Sequence, residues 1–201
     1  MSDPDERLGS VGSCKRGDVG STNDAYAEAY LGDAAALQAD AITVHPFLGL
    51  GAMDAFVSRA AESGSCLLVV ARSSNPAGRE VQAATTSAGW SVEAELLGRI
   101  AGLNERLAPG EIGPIGAVVW PTHLDPALDL VRSNCLFLAP GVGAQGVTPR
   151  DVQQVFAACK ERVMPSASRS PLAHPDPGPC SGTQGSAPAR PPRGSKGRSP
   201  H

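Results

Sequence analysis

Short apolar runs alternate with longer segments of mixed polarity over most of the chain. The runs read AITVH, CLLVVA, IGAVVW and CLFLA, beginning at residues 41, 66, 115 and 135. Each run is aliphatic or β-branched and is bounded by Gly or Pro, as is typical of buried parallel strands. We therefore predict strands at these places, with a first strand before Lys15 and a last one over residues 163–167.

Helix-length segments separate the predicted strands. One of them begins with Thr148 ahead of Pro149, a typical helix start. The predicted helices cover residues 23–38, 51–63, 91–107, 126–132 and 148–162. Strands that alternate with helices predict a parallel sheet covered by helices, an α/β fold. About six βα units fit between residues 10 and 169. A closed (β/α)8 TIM barrel needs eight units, so the pattern leaves both an open doubly wound sheet and an incomplete barrel possible.

The composition changes near residue 171. Residues 171–201 are rich in Pro, Gly and Ser and carry a basic bias. Such a segment cannot bury enough apolar surface to offset the entropy lost on ordering. We expect an irregular segment over residues 1–9, a partial barrel over residues 10–170 and a disordered tail over residues 171–201.

Composition limits the function classes. Apolar residues make up 41% of the 201 residues and aromatic residues only 4%, so the core is expected to be aliphatic. A net charge of −3 argues against a nucleic-acid or membrane-surface protein. An anion can still be bound locally by one Arg and a few backbone amides. The polar N-terminus and the lack of a long apolar run predict a soluble, cytoplasmic protein without a signal peptide.

Cysteine and histidine usage argues against a metal site. The five cysteines form no CxxC pair, and no histidine lies at metal-ligand spacing from any of them. They are expected to be reduced thiols in a cytoplasm. The four histidines are scattered; we interpret His45 as a packed or interface residue and His123 as a loop residue.

Polar or glycine-rich clusters follow the predicted strands, at the sheet edge where α/β folds place their active sites. Residues 15–18 read KRGD, and residues 73–76 read SSNP. The first cluster can be a charged site or a solvated turn. The second can read the edge of a planar ligand by hydrogen bonds or form an Asx turn ahead of Pro76.

Two later clusters are suited to an anion. Residues 140–146 read PGVGAQG, and residues 166–169 read SASR. Glycines let backbone amides approach an anion, and an Arg side chain offers a charged fork to phosphate oxygens. Barrels often bind phosphate at the last two strand ends. Arg169 can equally be a surface residue at the start of the tail.

Taken in order, KRGDxGST, SNP, PGVGAQG and PSxSR resemble the actinobacterial-type branch of orotidine 5′-phosphate decarboxylase. The segment VHPFLG after the strand at residue 41 resembles it too, so the likeness runs from Lys15 to Arg169. The resemblance implies a (β/α)8 TIM barrel that converts orotidine 5′-monophosphate (OMP) to uridine 5′-monophosphate (UMP) in pyrimidine biosynthesis. It also implies a homodimer with shared active sites, and neither a metal nor an organic cofactor.

The resemblance also implies roles for particular residues. Lys15 would protonate C6 of the pyrimidine as carbon dioxide leaves, and Asp18 would reach into the partner subunit's site. The other substrate-binding residues would contact the ribose (Thr22), the pyrimidine ring (Ser74) and the 5′-phosphate (Gln145 and Arg169), with Pro140 and Ser168 beside them.

The chain departs from the family pattern near its start. The family's charged network is Lys-Asp-Lys-Asp with a DxKxxD motif, whereas Ser13 stands two residues before Lys15 and no lysine precedes it. The first two βα units are also expected to be missing. We interpret these departures as a truncated or mis-set reading of a normal gene. The alternatives are an inactive phosphate- or nucleotide-binding remnant, and a sugar-phosphate enzyme of the same suprafamily. The SNP and PGVGAQG segments argue against the latter.

Overall fold

The computed structural model describes residues 9–32, 34–122 and 128–167. The predicted tail, residues 1–8, His123, Ser168 and Arg169 lie outside the described residues. None of the helices in the described part of the chain is long and apolar enough to cross a membrane.

The described residues form one six-stranded sheet in which every neighbouring pair is parallel and the strand order follows the chain. The strands are β1 (Val11–Arg16), β2 (Ala41–Val44), β3 (Cys66–Arg72), β4 (Ile115–Val119), β5 (Phe137–Pro140) and β6 (Val163–Ser166). A sheet with strands in chain order, each connected through a crossover, is the arrangement of a TIM barrel. The curled sheet has six strands where the full barrel has eight. This confirms the prediction of an incomplete (β/α)8 barrel.

The central strands are buried on both faces. Every residue of β2, β3 and β4 is buried, which explains why their sequences are continuous apolar runs. On one face, Leu67 and Val69 pack into the large core under the helices. On the other face, Leu68 and Val70 form a smaller cluster with Val118. The outer strands are more exposed, β1 most of all.

The helices lie between consecutive strands, and two of them begin at a residue whose side chain caps the helix N-terminus. They are α1 (Ser21–Tyr30), α2 (Asp54–Ser63), α3 (Arg79–Gln82), α4 (Val92–Leu107) and α5 (Pro149–Val155), with short 3-10 turns at Leu50–Met53, Pro76–Gly78 and Ala157–Arg162. Ser91 accepts the amide of Ala94 at 3.2 Å to cap α4. Thr148 and Asp151 form a reciprocal capping box on α5.

Helix boundaries differ from the prediction in three places. The helix predicted over residues 23–38 ends at Tyr30, because Leu31 turns extended and forms a bridge with Ala39. The helix predicted over residues 148–162 is broken, since Cys159 has non-helical backbone angles. The prediction over residues 126–132 was wrong for residues 128–132, which form no helix. Residues 130–132 lie in a turn, where the Asp129 carboxylate accepts the amide of Arg132 at 2.9 Å.

A buried asparagine joins the helical layer to the start of β4. Asn104 of α4 is fully buried, and its Nδ2 donates to the carbonyl of Ile115 at 2.8 Å. Its Oδ1 accepts the amide of Ile115 at 3.1 Å. A Cβ at Gly113 would overlap the Asn104 side chain. The side chain therefore aligns α4 with the entrance to the strand.

Candidate active site at the carboxyl edge of the sheet

Lys15 lies near the end of β1 in an unusual backbone conformation. Its φ is 46°, in the left-handed region that non-glycine residues rarely adopt. The pairing of β1 with β2 is irregular between Gly12 and Arg16, and the Lys15 amide donates to Thr43 Oγ1 at 3.1 Å. Bulges of this kind change the direction of a side chain and are frequent next to active sites. The surroundings of β1 therefore hold Lys15 in a strained backbone geometry.

The rest of the KRGD segment is held against neighbouring elements. Arg16 lies over the ring of Tyr26 in α1, 5.0 Å from its centroid. A Cβ at Gly17 would lie 2.7 Å from the carbonyl oxygen of His45, so only glycine fits this approach. The His45 amide donates to the Arg16 carbonyl at 2.8 Å. Lys15 and Arg16 belong to β1 and not to a turn, although both are exposed, and the alternative of a charged site stays a prediction.

The imidazole of His45 lies next to this segment. Neighbouring groups remove part of the water around its exposed side chain, and this desolvation, followed by the positive charge of Lys15, holds the pKa of His45 below its ordinary value. In the single chain His45 is exposed, so the interpretation of a packed residue was wrong. Its role at an interface stays a prediction.

A buried asparagine that we did not predict shapes the loop around Asp18. Asn23 accepts the Asp18 amide at 3.0 Å and donates to the Asp18 carbonyl. It also donates to the Ala52 carbonyl at 2.6 Å and is almost wholly buried. The Asp18 carboxylate itself accepts the amide of Val19 at 2.8 Å. Asn23 therefore fixes the Asp18 backbone, and Thr22 beside it is exposed in the first turn of α1.

The clusters after β3 and β5 meet through a side-chain hydrogen bond. Gln145 Nε2 donates to Ser74 Oγ at 3.3 Å, although the two residues are 71 positions apart. Asn75 does not take part in this contact, since it accepts the amide of Ala77 at 3.3 Å and caps the next turn. The Asx turn ahead of Pro76 is thus confirmed at Asn75, whereas the binding of a planar ligand by Ser74 stays a prediction.

The glycine-rich loop packs closely under an aromatic ring. Gly141 has a φ of 92°, and a Cβ at this position would overlap the ring of Trp120 and lie 2.8 Å from Gln145 Oε1. The amide of Val142 donates to the carbonyl of Ser166 at 3.1 Å. Pro140 is the last residue of β5 and pairs in register with Ser166. The third and fourth clusters therefore begin side by side, as two neighbouring strand ends.

The described residues provide neither an ion-pair partner for Lys15 nor a cluster of metal ligands. Lys15 forms no ion pair with any residue that the structure describes. Within residues 9–32, 34–122 and 128–167, no group of three or more His, Cys, Asp or Glu side chains could hold a metal ion. What these strand ends offer is an ammonium group, hydroxyl and amide side chains, and a glycine-rich loop.

Comparison with known proteins identifies the family. The family model described as orotidine 5′-phosphate decarboxylase / HUMPS matches residues 14–178. The chain belongs to this family.

Its relatives include curated decarboxylases from actinobacteria. The orotidine 5′-phosphate decarboxylase of Streptomyces coelicolor is 46% identical over 164 residues, which cover 82% of this chain and 58% of the relative. That of Salinispora arenicola is 42% identical over 159 residues, covering 79% of this chain and 56% of the relative. The chain thus spans a little more than half the length of these relatives.

Solved structures agree with this assignment. A protein described as an orotidine 5′-phosphate decarboxylase from Streptomyces avermitilis has a TM-score of 0.75 and 45% identity, covering 83% of this chain and 58% of that chain. The orotidine 5′-monophosphate decarboxylase of Methanocaldococcus jannaschii, solved with the inhibitor BMP, is 19% identical with a TM-score of 0.59, over 83% of this chain and 67% of that chain, and shows the likeness of fold. The predicted family membership is confirmed, whereas the roles of individual residues stay predictions.

Sequence reasoning missed several residues that pack beside the candidate clusters. Trp120 directly follows β4, a position that could have been noticed as another strand end. Gln82 bonds to Ser73 across nine positions. Ser73 lies in the SSNP segment, but Gln82 belongs to no motif that reveals the pair. Arg72 at the end of β3 forms a buried ion pair with Glu93 of α4 at 3.0 Å. The pairing of β3 with β4 shifts register between Val70 and Arg72, next to this ion pair.

Proposed function

We propose that this chain decarboxylates OMP to UMP, a carboxy-lyase reaction of pyrimidine biosynthesis. The observation that carries the proposal is the hydrogen bond between Ser74 and Gln145. It joins the loop expected to read the pyrimidine ring to the loop expected to bind the 5′-phosphate. Lys15, at the carboxyl end of β1 in the same parallel sheet, supplies the ammonium group that the chemistry needs.

The proposed mechanism uses binding energy far from the reacting atom. Gln145, with Pro140 beside it and Ser168 and Arg169 after β6, binds the 5′-phosphate, and Ser74 binds the pyrimidine ring. This energy holds the substrate carboxylate in an unfavourable electrostatic setting. As the C6–carboxylate bond breaks and carbon dioxide leaves, the electron pair stays on C6. The Lys15 ammonium stabilises this developing charge and transfers a proton to C6. No metal or organic cofactor takes part in this scheme.

We further propose a homodimer with shared active sites. Large apolar side chains are exposed in the loops after β1 and β2, namely Val19 (57% exposed), Phe47 (82%) and Leu48 (50%). Exposed apolar groups of this kind favour a protein contact. In the dimer, Asp18 and Thr22 would face the partner subunit's substrate, and the protein would act in the cytoplasm.

Size-exclusion chromatography with light scattering tests the dimer. Phe47→Asp should produce a monomer, because it places a charge within the proposed contact. Val131→Asp is the matched control, since Val131 is 50% exposed on another part of the chain. A wild-type monomer, or a Phe47→Asp dimer, would contradict the proposed interface.

A second candidate function is an inactive remnant that binds nucleoside monophosphates. The observation that favours it is that Lys15 forms no ion pair with any described carboxylate, while Ser13 stands where the family has an aspartate. A lone ammonium lacks the alternating charges that the family uses. Such a chain would keep the ring- and phosphate-binding contacts without turnover.

A decarboxylation assay separates the two candidates. Loss of OMP absorbance is followed with the purified 201-residue chain, with Lys15→Ala and with Lys160→Ala as the control at an exposed lysine. Turnover that disappears only in Lys15→Ala supports the decarboxylase. UMP binding without turnover supports the remnant. Under the decarboxylase proposal Ser13→Asp should raise turnover by about tenfold or more, because it restores a carboxylate near Lys15.

A further inference from the structure

The side chain of Gln82 binds the amide and the hydroxyl group of Ser73. Gln82 Oε1 accepts the Ser73 amide at 3.1 Å, and Gln82 Nε2 donates to Ser73 Oγ at 3.1 Å. Gln82 is the last residue of α3 and is half-buried. One side-chain amide therefore determines both the backbone and the hydroxyl direction of the residue before Ser74.

The surrounding turn is shaped to admit this contact. A Cβ at Gly78 would lie 2.8 Å from Ser73 Oγ and 3.0 Å from Gln82 Nε2. Only a residue without a side chain leaves room for the pair at this point. The turn itself is capped by Asn75. The segment from Ser73 to Gln82 thus folds back on itself around this paired hydrogen bond.

In these hydrogen bonds two neighbouring hydroxyl groups act as acceptors. A hydroxyl that accepts from an amide N–H keeps its own proton for another acceptor. Ser73 accepts from Gln82, and Ser74 accepts from Gln145 at 3.3 Å. Both serines are therefore left as donors. The carbonyl oxygens of a pyrimidine ring are acceptors and match two such donors.

We infer that Gln82 is a positioning residue of the nucleotide site, which orients the Ser73 hydroxyl to donate to the bound pyrimidine ring. The identity of the ligand rests on the proposed function. Gln82 does not itself touch the ligand; it acts through Ser73. The consequence is preference for a pyrimidine nucleotide over a ribose phosphate that lacks the ring.

Calorimetric titration with UMP and with ribose 5-phosphate tests this role. In Gln82→Glu the carboxylate still accepts the Ser73 amide, but it also accepts the Ser73 hydroxyl proton and withdraws it from the ligand. We expect UMP affinity to fall about tenfold, as for the loss of one hydrogen bond, with ribose 5-phosphate affinity unchanged. Gln153→Glu, an exposed position on α5 with the same change in charge, should alter neither. Unchanged UMP affinity, or an equal loss for both ligands, would overturn the inference.

Amide hydrogen exchange at Ser73 tests the geometry without a ligand. Exchange should be faster by about tenfold or more in Gln82→Ala, which removes the acceptor, and stay slow in Gln82→Glu, which keeps it. Unchanged exchange in Gln82→Ala would show that Gln82 does not position Ser73. A wild-type chain that binds neither ligand contradicts the proposed function, and the exchange result then decides on its own whether Gln82 positions Ser73.

Discussion

Replacing Gly141 by alanine should destabilise the chain through two separate effects. The backbone at Gly141 has a φ of 92°, which costs an alanine about 1–2 kcal/mol. The new Cβ would also overlap the ring of Trp120 and approach Gln145 Oε1 to 2.8 Å. Such overpacking costs about 1–3 kcal/mol more. The total, about 2–5 kcal/mol, is a large part of the 5–15 kcal/mol that stabilises a typical domain.

Gly146 provides the control that separates the two effects. Its φ is 82°, but a Cβ there would meet no atom within 4 Å. Gly146→Ala should therefore lower the free energy of unfolding by about 1–2 kcal/mol only. Urea unfolding followed by circular dichroism measures both variants, and an unchanged slope with denaturant confirms that the denatured states are comparable.

A double-mutant cycle identifies Trp120 as the source of the difference. Trp120→Ala removes the ring that the Cβ would overlap, so the double variant Gly141→Ala/Trp120→Ala should be about 1–3 kcal/mol more stable than the sum of the single effects predicts. Equal destabilisation by Gly141→Ala and Gly146→Ala, or additive effects of Gly141→Ala and Trp120→Ala, would refute the reasoning.

Three further predictions concern the core and titrating groups. Asn104→Ala should lower the free energy of unfolding in urea by about 2–4 kcal/mol, since it leaves buried backbone groups of Ile115 unpaired; an effect below about 1 kcal/mol would contradict this. Burial raises the pKa of Cys66 to about 12 and of Cys135 to about 11, so iodoacetamide at pH 8 should leave both unmodified in the folded chain; peptide mass spectrometry that finds either labelled would contradict it. The lowered pKa of His45 means that the unfolded state binds a proton at His45 more readily than the folded state does. The free energy of unfolding should therefore rise with pH through about 6.5, the ordinary histidine pKa. The rise should be smaller in His45→Asn, and an equal slope in urea titrations at different pH values would disprove it.

Local sequence patterns predicted the sheet well, because a central strand buried on both faces needs an apolar residue at nearly every position. The run CLLVVA was predicted as a strand over residues 66–71, and β3 spans Cys66–Arg72. A continuous apolar run has few ways to be buried other than as a central strand. Helix ends were predicted less well. The bridge at Leu31 and the kink at Cys159 arise from packing that no local pattern records.

The candidate site divides in the same way. Residue types and their positions near strand ends were enough to select Lys15, Ser74 and Gln145 as candidates, because the carboxyl ends of parallel strands lie at one edge of a sheet. Their roles stay predictions. The hydrogen bond between Ser74 and Gln145 was decided by the tertiary structure, since strand register and sheet curvature determine which side chains meet across 71 positions. The same holds for Trp120 against Gly141 and for the left-handed backbone of Lys15. A chain's local pattern records which residues are buried and with what period, whereas contacts between distant loops depend on how the whole sheet is assembled.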